Sequence, residues 1–262
     1  MTSKTEAFRA MHVPGKPLLI PNPWDIGSAK LLVSLGFNAL ATTSSGFAMT
    51  LGRFDGAVTR EEALDHAATI VQAVDVPVSA DLENCFADEP DGVAATIRAA
   101  VDTGLAGCSV EDWSGSEIYP MELAVERVRA AAEAADDNLV LTARAENHLH
   151  GKDDLADTVK RLQAYQEAGA DVLYAPGLTE LADIRSVLAE VDRPVNVLAM
   201  ATAPPVSELA AAGVARVSVG GSFAFTALGA LVAAARELRE HGTYSYSALA
   251  RDGRNAISDA FG

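Results

Sequence analysis

The sequence predicts an α/β protein built as a closed (β/α)8 barrel, on three observations. Short, β-rich apolar runs alternate strictly with longer helical patterns, and the alternation repeats through eight units. The runs are near-continuously apolar, as strands are when a parallel sheet is covered on both faces. The chain has 262 residues, and one such barrel typically takes about 250.

The first run, residues 18–20, ends in Pro21-Asn22-Pro23-Trp24-Asp25, and the helical pattern 26–35 after it stops at Gly36. The second run, 37–43, is followed by a polar, glycine-containing loop over 44–58. Thr59 with Glu62 three residues on is a capping box, opening a helix that ends before Pro77. The third strand is 76–81 and its helix about 91–102, stopped at Gly104; the fourth strand is 107–111, with a helix over about 120–135. The fifth strand is 139–144 with helix 153–168 and Gly169; the sixth is 171–175 with helix 179–190. The seventh is 194–198 with helix 205–212 and Gly213; the eighth is 216–220 with helix 224–240. Glycines at 36, 104, 169 and 213 mark helix ends, where a left-handed residue closes the last turn. A doubly wound open sheet is the structural rival, but its Gly-rich turn is missing after strand one, where the chain reads Asn22-Pro23-Trp24-Asp25-Ile26-Gly27. The whole of 1–262 reads as a single domain, with 244–262 a short tail that is helical from Ser247.

Composition narrows the class. Asp plus Glu number 36 against 20 Lys plus Arg, for a formal net charge of −16. Such a chain repels phosphate backbones and anionic lipid, so neither nucleic acid nor a membrane surface is an expected partner. Two cysteines, Cys85 and Cys108, do not make a disulfide framework. No signal-type apolar run opens the chain, and no uninterrupted apolar stretch reaches the roughly 18 residues of a membrane span. The expectation is a soluble cytoplasmic protein.

In a barrel, chemistry sits at the C-terminal ends of the strands. Those ends deliver Trp24 and Asp25; Ser44, Ser45, Gly46 and Phe47, with Asp55 beyond; Asp81 and Glu83; Glu111 and Asp112; Arg144, Glu146 and Asn147; and, on strand seven, Asn196. Asp81, Glu83 and Glu111 share one rim, and the spacing Asp81-x-Glu83 places both side chains on one side of an extended strand. Carboxylates so close repel unless something neutralises them. Mg2+ suits the task, because it takes oxygen ligands and needs only one or two protein carboxylates; solvated loop acids are the plainer reading. Arg144 offers a planar fork for a substrate carboxylate, or a structural salt bridge. Ser45-Gly46-Phe47 offers consecutive backbone N–H groups to an anion, or a simple turn. The lysines, Lys4, Lys16, Lys30, Lys152 and Lys160, all lie away from strand ends, which excludes Schiff-base chemistry. His148 and His150 lack a zinc spacing and read as surface-loop residues, Cys108 reads as a buried apolar residue, and Gly220-Gly221 as a tight turn or a phosphate cup.

Five motifs follow one another at successive strand ends: Thr43-Ser44-Ser45-Gly46; Gly52-Arg53-Phe54-Asp55 with Thr59; Ala80-Asp81-Leu82-Glu83; Ser109-Val110-Glu111-Asp112; and Thr142-Ala143-Arg144-Ala145-Glu146. With them the chain, from Leu18 to about Glu240, resembles the isocitrate lyase/phosphoenolpyruvate mutase superfamily. The resemblance implies a TIM barrel and a Mg2+-dependent enzyme (Mn2+ being a substitute) that stabilises a pyruvate-type enolate. It implies that Asp81 ligates the metal directly while Glu83, Glu111 and Asp55 hold its waters. It implies that Ser45, Gly46 and Phe47 donate to the substrate carboxylate, that Arg144 pairs with it, and that Asn196 lines the far side of the pocket. Asp55, Glu111 and Arg144 are then the expected catalytic residues. It also implies a homodimer or homotetramer with an exchanged eighth helix, a contact that the apolar tract 227–235 suits, as it equally suits packing on its own barrel.

The departures are informative. The Lys-Lys/Arg-Cys-Gly-His run of isocitrate and methylisocitrate lyases is absent, and Cys85, which stands where the family has glycine, does not replace it. The mutases and phosphonopyruvate hydrolases carry Lys and Asn soon after the strand-four Glu-Asp; here that stretch is Trp113-Ser114-Gly115-Ser116-Glu117-Ile118-Tyr119-Pro120. Glu83 replaces the more usual Asp. The expected function is therefore a Mg2+-dependent lyase or decarboxylase that cleaves a carbon–carbon bond of a small 2-oxo or 2-hydroxy (di)carboxylate, with Tyr119, Glu117 and His148 as candidates for proton transfer. The alternatives are phosphorus–carbon chemistry at the same site, and a barrel that binds a 2-oxo acid without turning it over.

Overall fold

A computed structural model describes residues 3–261. The strands are β1 Leu18–Ile20, β2 Leu40–Ala41, β3 Val78–Asp81, β4 Gly107–Glu111, β5 Val140–Arg144, β6 Val172–Tyr174, β7 Val195–Leu198 and β8 Arg216–Ser218. All pair in parallel, in the order β1-β8-β7-β6-β5-β4-β3-β2. Between β1 and β2 the ladder thins to one bond, from the Ala41 N–H to the Pro21 carbonyl at 3.1 Å, and this closes the ring into a (β/α)8 TIM barrel. Strands are shorter than their apolar runs, most of all β2, where residues 37–39 and 42–43 only lead in and out.

The helices are α1 Lys4–Ala10, α2 Ile26–Ser34, α3 Ser44–Thr50, α4 Arg60–Ala73, α5 Pro90–Asp102, α6 Met121–Ala135, α7 Leu155–Glu167, α8 Leu181–Glu190, α9 Val206–Ala212, α10 Ser222–His241 and α11 Ser247–Phe261. The Thr59–Glu62 capping box is formed, and Gly169 closes α7 with φ +108°. Two helices go beyond the sequence reading. The segment 44–50, expected as loop, is α3, because the Thr43 side chain caps it by accepting from the Gly46 N–H. The other, α1, plugs the bottom of the barrel: Phe8 is fully buried against Ile20, Ala39, Ala106, Val140 and Val172. Gly107 is what admits it, since a Cβ there would lie 2.8 Å from the Phe8 ring. A plug of this kind leaves the opposite, C-terminal mouth as the open end.

One helix is poorly buried. Along α10 only Ala224 is buried, and Leu231, Val232 and Leu238 are exposed. The tract 227–235 therefore does not pack on its own barrel. By contrast α11 lies against α2. Among the described residues no helix is long and apolar enough to cross a membrane.

Candidate active site

The C-terminal mouth opens into a cavity of about 1020 Å³. Asp55, Asp81, Glu83, Glu111, Arg144 and Asn196 all line it. Parallel register explains the core of this cluster. Asp81 pairs with Ser109, Glu111 with Arg144, and Arg144 with Tyr174, so β3 to β6 end side by side with inward-facing side chains.

Arg144 is the hub. Its Nη1 lies 2.9 Å from Asp81 Oδ1, its Nη2 3.1 Å from Glu111 Oε2 and its Nε 2.7 Å from Glu146 Oε1. The guanidinium also stands over the Tyr174 ring at 5.3 Å. In this state the fork is spent on three carboxylates rather than open to a ligand. Asp81 collects further donors: its Oδ2 accepts from Ser44 Oγ at 3.0 Å and from the Ser44 N–H at 3.3 Å, and its Oδ1 accepts from Ser109 Oγ at 3.4 Å. Glu146 is fixed from behind, its N–H donating to Asp112, which also accepts from Tyr165 and Arg161.

Glu83 does not reach the cavity as the sequence spacing implies. The strand stops at Asp81, and Glu83 itself has φ +51°, so it arrives through a left-handed turn and not through the pleat. Cys85 and Phe86 are left-handed too. The turn is held by Arg127 of α6, which is buried and donates to the carbonyls of Asn84 and Asp88 at 2.7 Å each and also to that of Ala87.

The segment Ser45-Gly46-Phe47 is divided by α3. Only Ser45 lines the cavity. The Phe47 N–H is taken by the Thr43 carbonyl at 3.0 Å and its ring stacks on His66, which removes it as a substrate donor. Gly46 is buried, its N–H donates to Thr43 Oγ1, and a Cβ there would lie 2.5 Å from the Thr43 methyl. Close packing accounts for this glycine. The phosphate cup is likewise absent at Gly220, because the N–H groups of Val219 and Gly220 both donate to Asn22 Oδ1.

The candidates for proton transfer change. Tyr119 hydrogen-bonds to Asp88 and Asn84 behind the wall, Glu117 is exposed, and His148 turns away to Thr158 Oγ1 at 3.0 Å. None of the three lines the cavity. His150 does, stacked on Trp113 with ring centroids 3.6 Å apart. This pair joins the loops after β4 and β5, and no local pattern in the sequence signals it. Tyr174, Ser218 and Arg216 are further lining residues that the sequence reading does not single out as site residues. Cys85 is fully buried with its thiol pushed up to about 12, which fits an inert packing role.

Electrostatics show what the cluster lacks. Burial and the neighbouring Asp81 and Asp55 push Glu83 up to about 8. Burial raises Glu111 and Glu146 as well, with Arg144 opposing the shift in both. One guanidinium is thus too little positive charge for these acids. The donors are all carboxylate oxygens, Asp81 stands foremost, and among the described residues no three His, Cys, Asp or Glu side chains close in tightly enough to hold an ion unaided. That set fits a hard cation that keeps several waters, such as Mg2+.

A stability test follows. Glu83 has a native value of about 8 against an ordinary 4.5, so between these limits the native state keeps a proton that the unfolded state has released. Rising pH then favours unfolding, and the loss is complete above about 8. Buried His12 and His66, whose values are lowered, act in the opposite sense only below about 6.5. With EDTA, the thermal midpoint is therefore expected to fall from about pH 6.5 to 8, and Glu83→Gln to flatten that slope. The gain in midpoint on adding Mg2+ is expected to grow over the same range. A gain independent of pH counts against the cation's role.

Residues 8–239 match the family described as phosphoenolpyruvate phosphomutase. The 2-methylisocitrate lyase of Escherichia coli K12 is 30% identical over 205 residues, 74% of this chain and 69% of that protein. A Burkholderia cenocepacia J2315 protein of known structure, provisionally assigned as a lyase/mutase, is 49% identical with a TM-score of 0.91, over 96% of this chain and 94% of that one. A 2,3-dimethylmalate lyase of the PEP mutase/isocitrate lyase superfamily is 25% identical with a TM-score of 0.83, over 94% and 90% of the two chains.

Proposed function

The chain belongs to the phosphoenolpyruvate phosphomutase family, within the superfamily that includes the isocitrate lyases, and from that premise we propose that it cleaves a carbon–carbon bond of a small 2-oxo or 2-hydroxy (di)carboxylate with the help of Mg2+. The observation that carries this reading is the set of carboxylates from β3, β4 and the loop after β5 gathered on Arg144 at the mouth of the barrel.

Asp81 would hold the metal, with Glu83, Glu111 and Asp55 taking its waters, and the bound ion would supply Lewis-acid stabilisation of an enolate oxygen. The protein's own groups do the rest. Ser45 and Arg144 receive the carboxylate head, the Nη1 and Nη2 edges of Arg144 being released as Asp81 and Glu111 turn to the cation and its waters, while Glu146 keeps the fork oriented through Nε. Burial raises the Glu111 carboxyl against the pull of Arg144, which suits it to take up a proton beside the reacting centre. The stacked Trp113 and His150 form the wall against which the substituent on C3 lies, and they shield it from water. Selection among acids therefore falls to the two loops that this pair joins.

A panel assay tests the reading. Release of a 2-oxo acid or CO2 from oxaloacetate, substituted malates and methylisocitrate is followed with Mg2+ and with EDTA. Mg2+-dependent release from at least one of them is expected. Turnover indifferent to EDTA contradicts the reading, and phosphate release from phosphonopyruvate, with none of the carbon acids cleaved, replaces it.

A further inference from the structure

Beneath the carboxylate cluster lies a second arginine with no role in the chemistry of the metal or the carboxylate head. Arg216, on β8, is 6% exposed, and it lines the inner end of the cavity. A buried guanidinium ordinarily sits on a carboxylate, because an unpaired buried charge is costly. Arg216 has no such partner among the described residues. Its Nε donates to Asn196 Oδ1 at 3.0 Å, and its Nη1 donates to Thr142 Oγ1 at 3.1 Å and faces His12 Nε2 at 3.4 Å.

Every one of these partners is neutral, and two of them, Asn196 and His12, are oriented by a second bond. Asn196 Nδ2 donates to Ser218 Oγ at 2.9 Å, which turns its oxygen to the arginine. His12 Nδ1 lies 2.9 Å from the Phe8 carbonyl, so that nitrogen carries the hydrogen and Nε2 presents its lone pair to Arg216. Burial and the adjacent guanidinium push His12 down to about 3, so it stays uncharged. Arg216 itself, brought down to about 10, remains a cation at neutral pH. The barrel thus holds a full positive charge in a neutral cradle, three of its donor bonds satisfied. Among the described residues its Nη2 edge has no protein partner, and it is not sealed off from the cavity. Arg144, by contrast, is surrounded by acids.

We propose that Arg216 is a substrate-binding residue that takes a second carboxylate, so that the site selects dianionic acids over monoanionic ones of the same skeleton. The inference rests on the proposed reading of the site as one for small organic acids, and it deepens that reading: Arg144 and Ser45 take the head, and Arg216 takes the far carboxylate. Asn196 is then a positioning residue, both of its polar atoms being engaged and its oxygen aiming the guanidinium. The arrangement also gives a reason for α1, which positions the turn after it, where His12 closes the cradle from below without adding charge.

Direct binding tests this independently of turnover. Malate and 2-hydroxybutanoate share a four-carbon 2-hydroxy acid skeleton and differ by one carboxylate against a methyl group. Titration calorimetry on the full chain with Mg2+ is expected to show malate bound about 10- to 100-fold more tightly, the range of a charge-assisted hydrogen-bonded pair. Arg216→Met is expected to abolish that ratio while leaving 2-hydroxybutanoate affinity within about threefold, and Arg216→Lys to keep most of it. Equal or undetectable binding of both acids to the wild type overturns the proposal without recourse to a variant that fails to fold. A ratio preserved in a folded Arg216→Met protein also overturns it, since a merely structural arginine leaves selectivity untouched. Preference for malate with no turnover of any acid sinks the lyase reading alone; turnover with no such preference sinks the Arg216 proposal alone.

Discussion

Replacing Asp81 by asparagine is expected to lower Mg2+-dependent turnover by roughly 10²- to 10³-fold or more while leaving the barrel folded. Asparagine keeps the shape and one acceptor oxygen, which can still take Arg144 and Ser109 on the Oδ1 side, but its amide NH2 replaces Oδ2 and loses the bond from the Ser44 N–H, so it removes the charge and one acceptor. Folding should tolerate the change. Glu83 and Glu111 lose a like-charged neighbour that raises them, and Arg144 still pairs with Glu111 and Glu146. A metal that depends on this oxygen anion loses its one direct protein ligand. Activity on whichever acid the panel identifies, the thermal midpoint and the Mg2+ concentration for half-maximal rate together check the result. An Asp81→Asn protein with wild-type turnover means that the metal is held elsewhere.

Replacing Arg144 by methionine is expected to do the opposite to stability. It leaves Asp81, Glu111 and Glu146 mutually repelling with no cation among them. Breaking a buried charge network by removing one partner costs about 3–5 kcal/mol, and Arg144 is only 13% exposed. The three acids can relieve the strain by taking up protons, so the loss should be larger at about pH 8 than at about pH 6. Mg2+ should restore part of it, because a cation then stands where the guanidinium did. Arg144→Lys keeps a charge but not the fork, which places three donors at 2.7–3.1 Å, so an intermediate loss of stability with a severe loss of activity is expected. Urea unfolding at the two pH values, with and without Mg2+, checks this; equal stability of wild type and Arg144→Met contradicts the hub assigned to Arg144.

How much of this was legible in the sequence depends on the range of the interaction. Strands and long helices are local patterns, so the eight apolar runs and the glycine stops locate the barrel, and parallel topology then carries Asp81, Glu111 and Arg144 to one rim. The seven-residue α1 and α3 are too short for periodicity to distinguish from loop, which is why Gly46 and Phe47 read as anion donors when capping and packing already occupy them. Glu83 lies past a strand end, where pleat alternation no longer applies and a left-handed turn decides direction. The Trp113–His150 stack joins two loops, and the Arg216–His12 contact joins positions 204 residues apart; neither leaves a trace in nearby spacing. The polar interior of the barrel, formed by Thr142, Asn196, Arg216 and Ser218, appears in the sequence only as interruptions of apolar strands.

On this reading of the site, acids from adjacent strands hold a divalent ion that in turn steadies an enolate-like oxyanion. Oxalate, a planar dianion resembling a pyruvate enolate, measures this directly by titration calorimetry. Oxalate is expected to bind the wild-type protein with Mg2+, to bind at least tenfold more weakly with EDTA, and to show no metal dependence in Asp81→Asn. Oxalate binding of equal strength with Mg2+ and with EDTA, or unchanged metal dependence in Asp81→Asn, would contradict it.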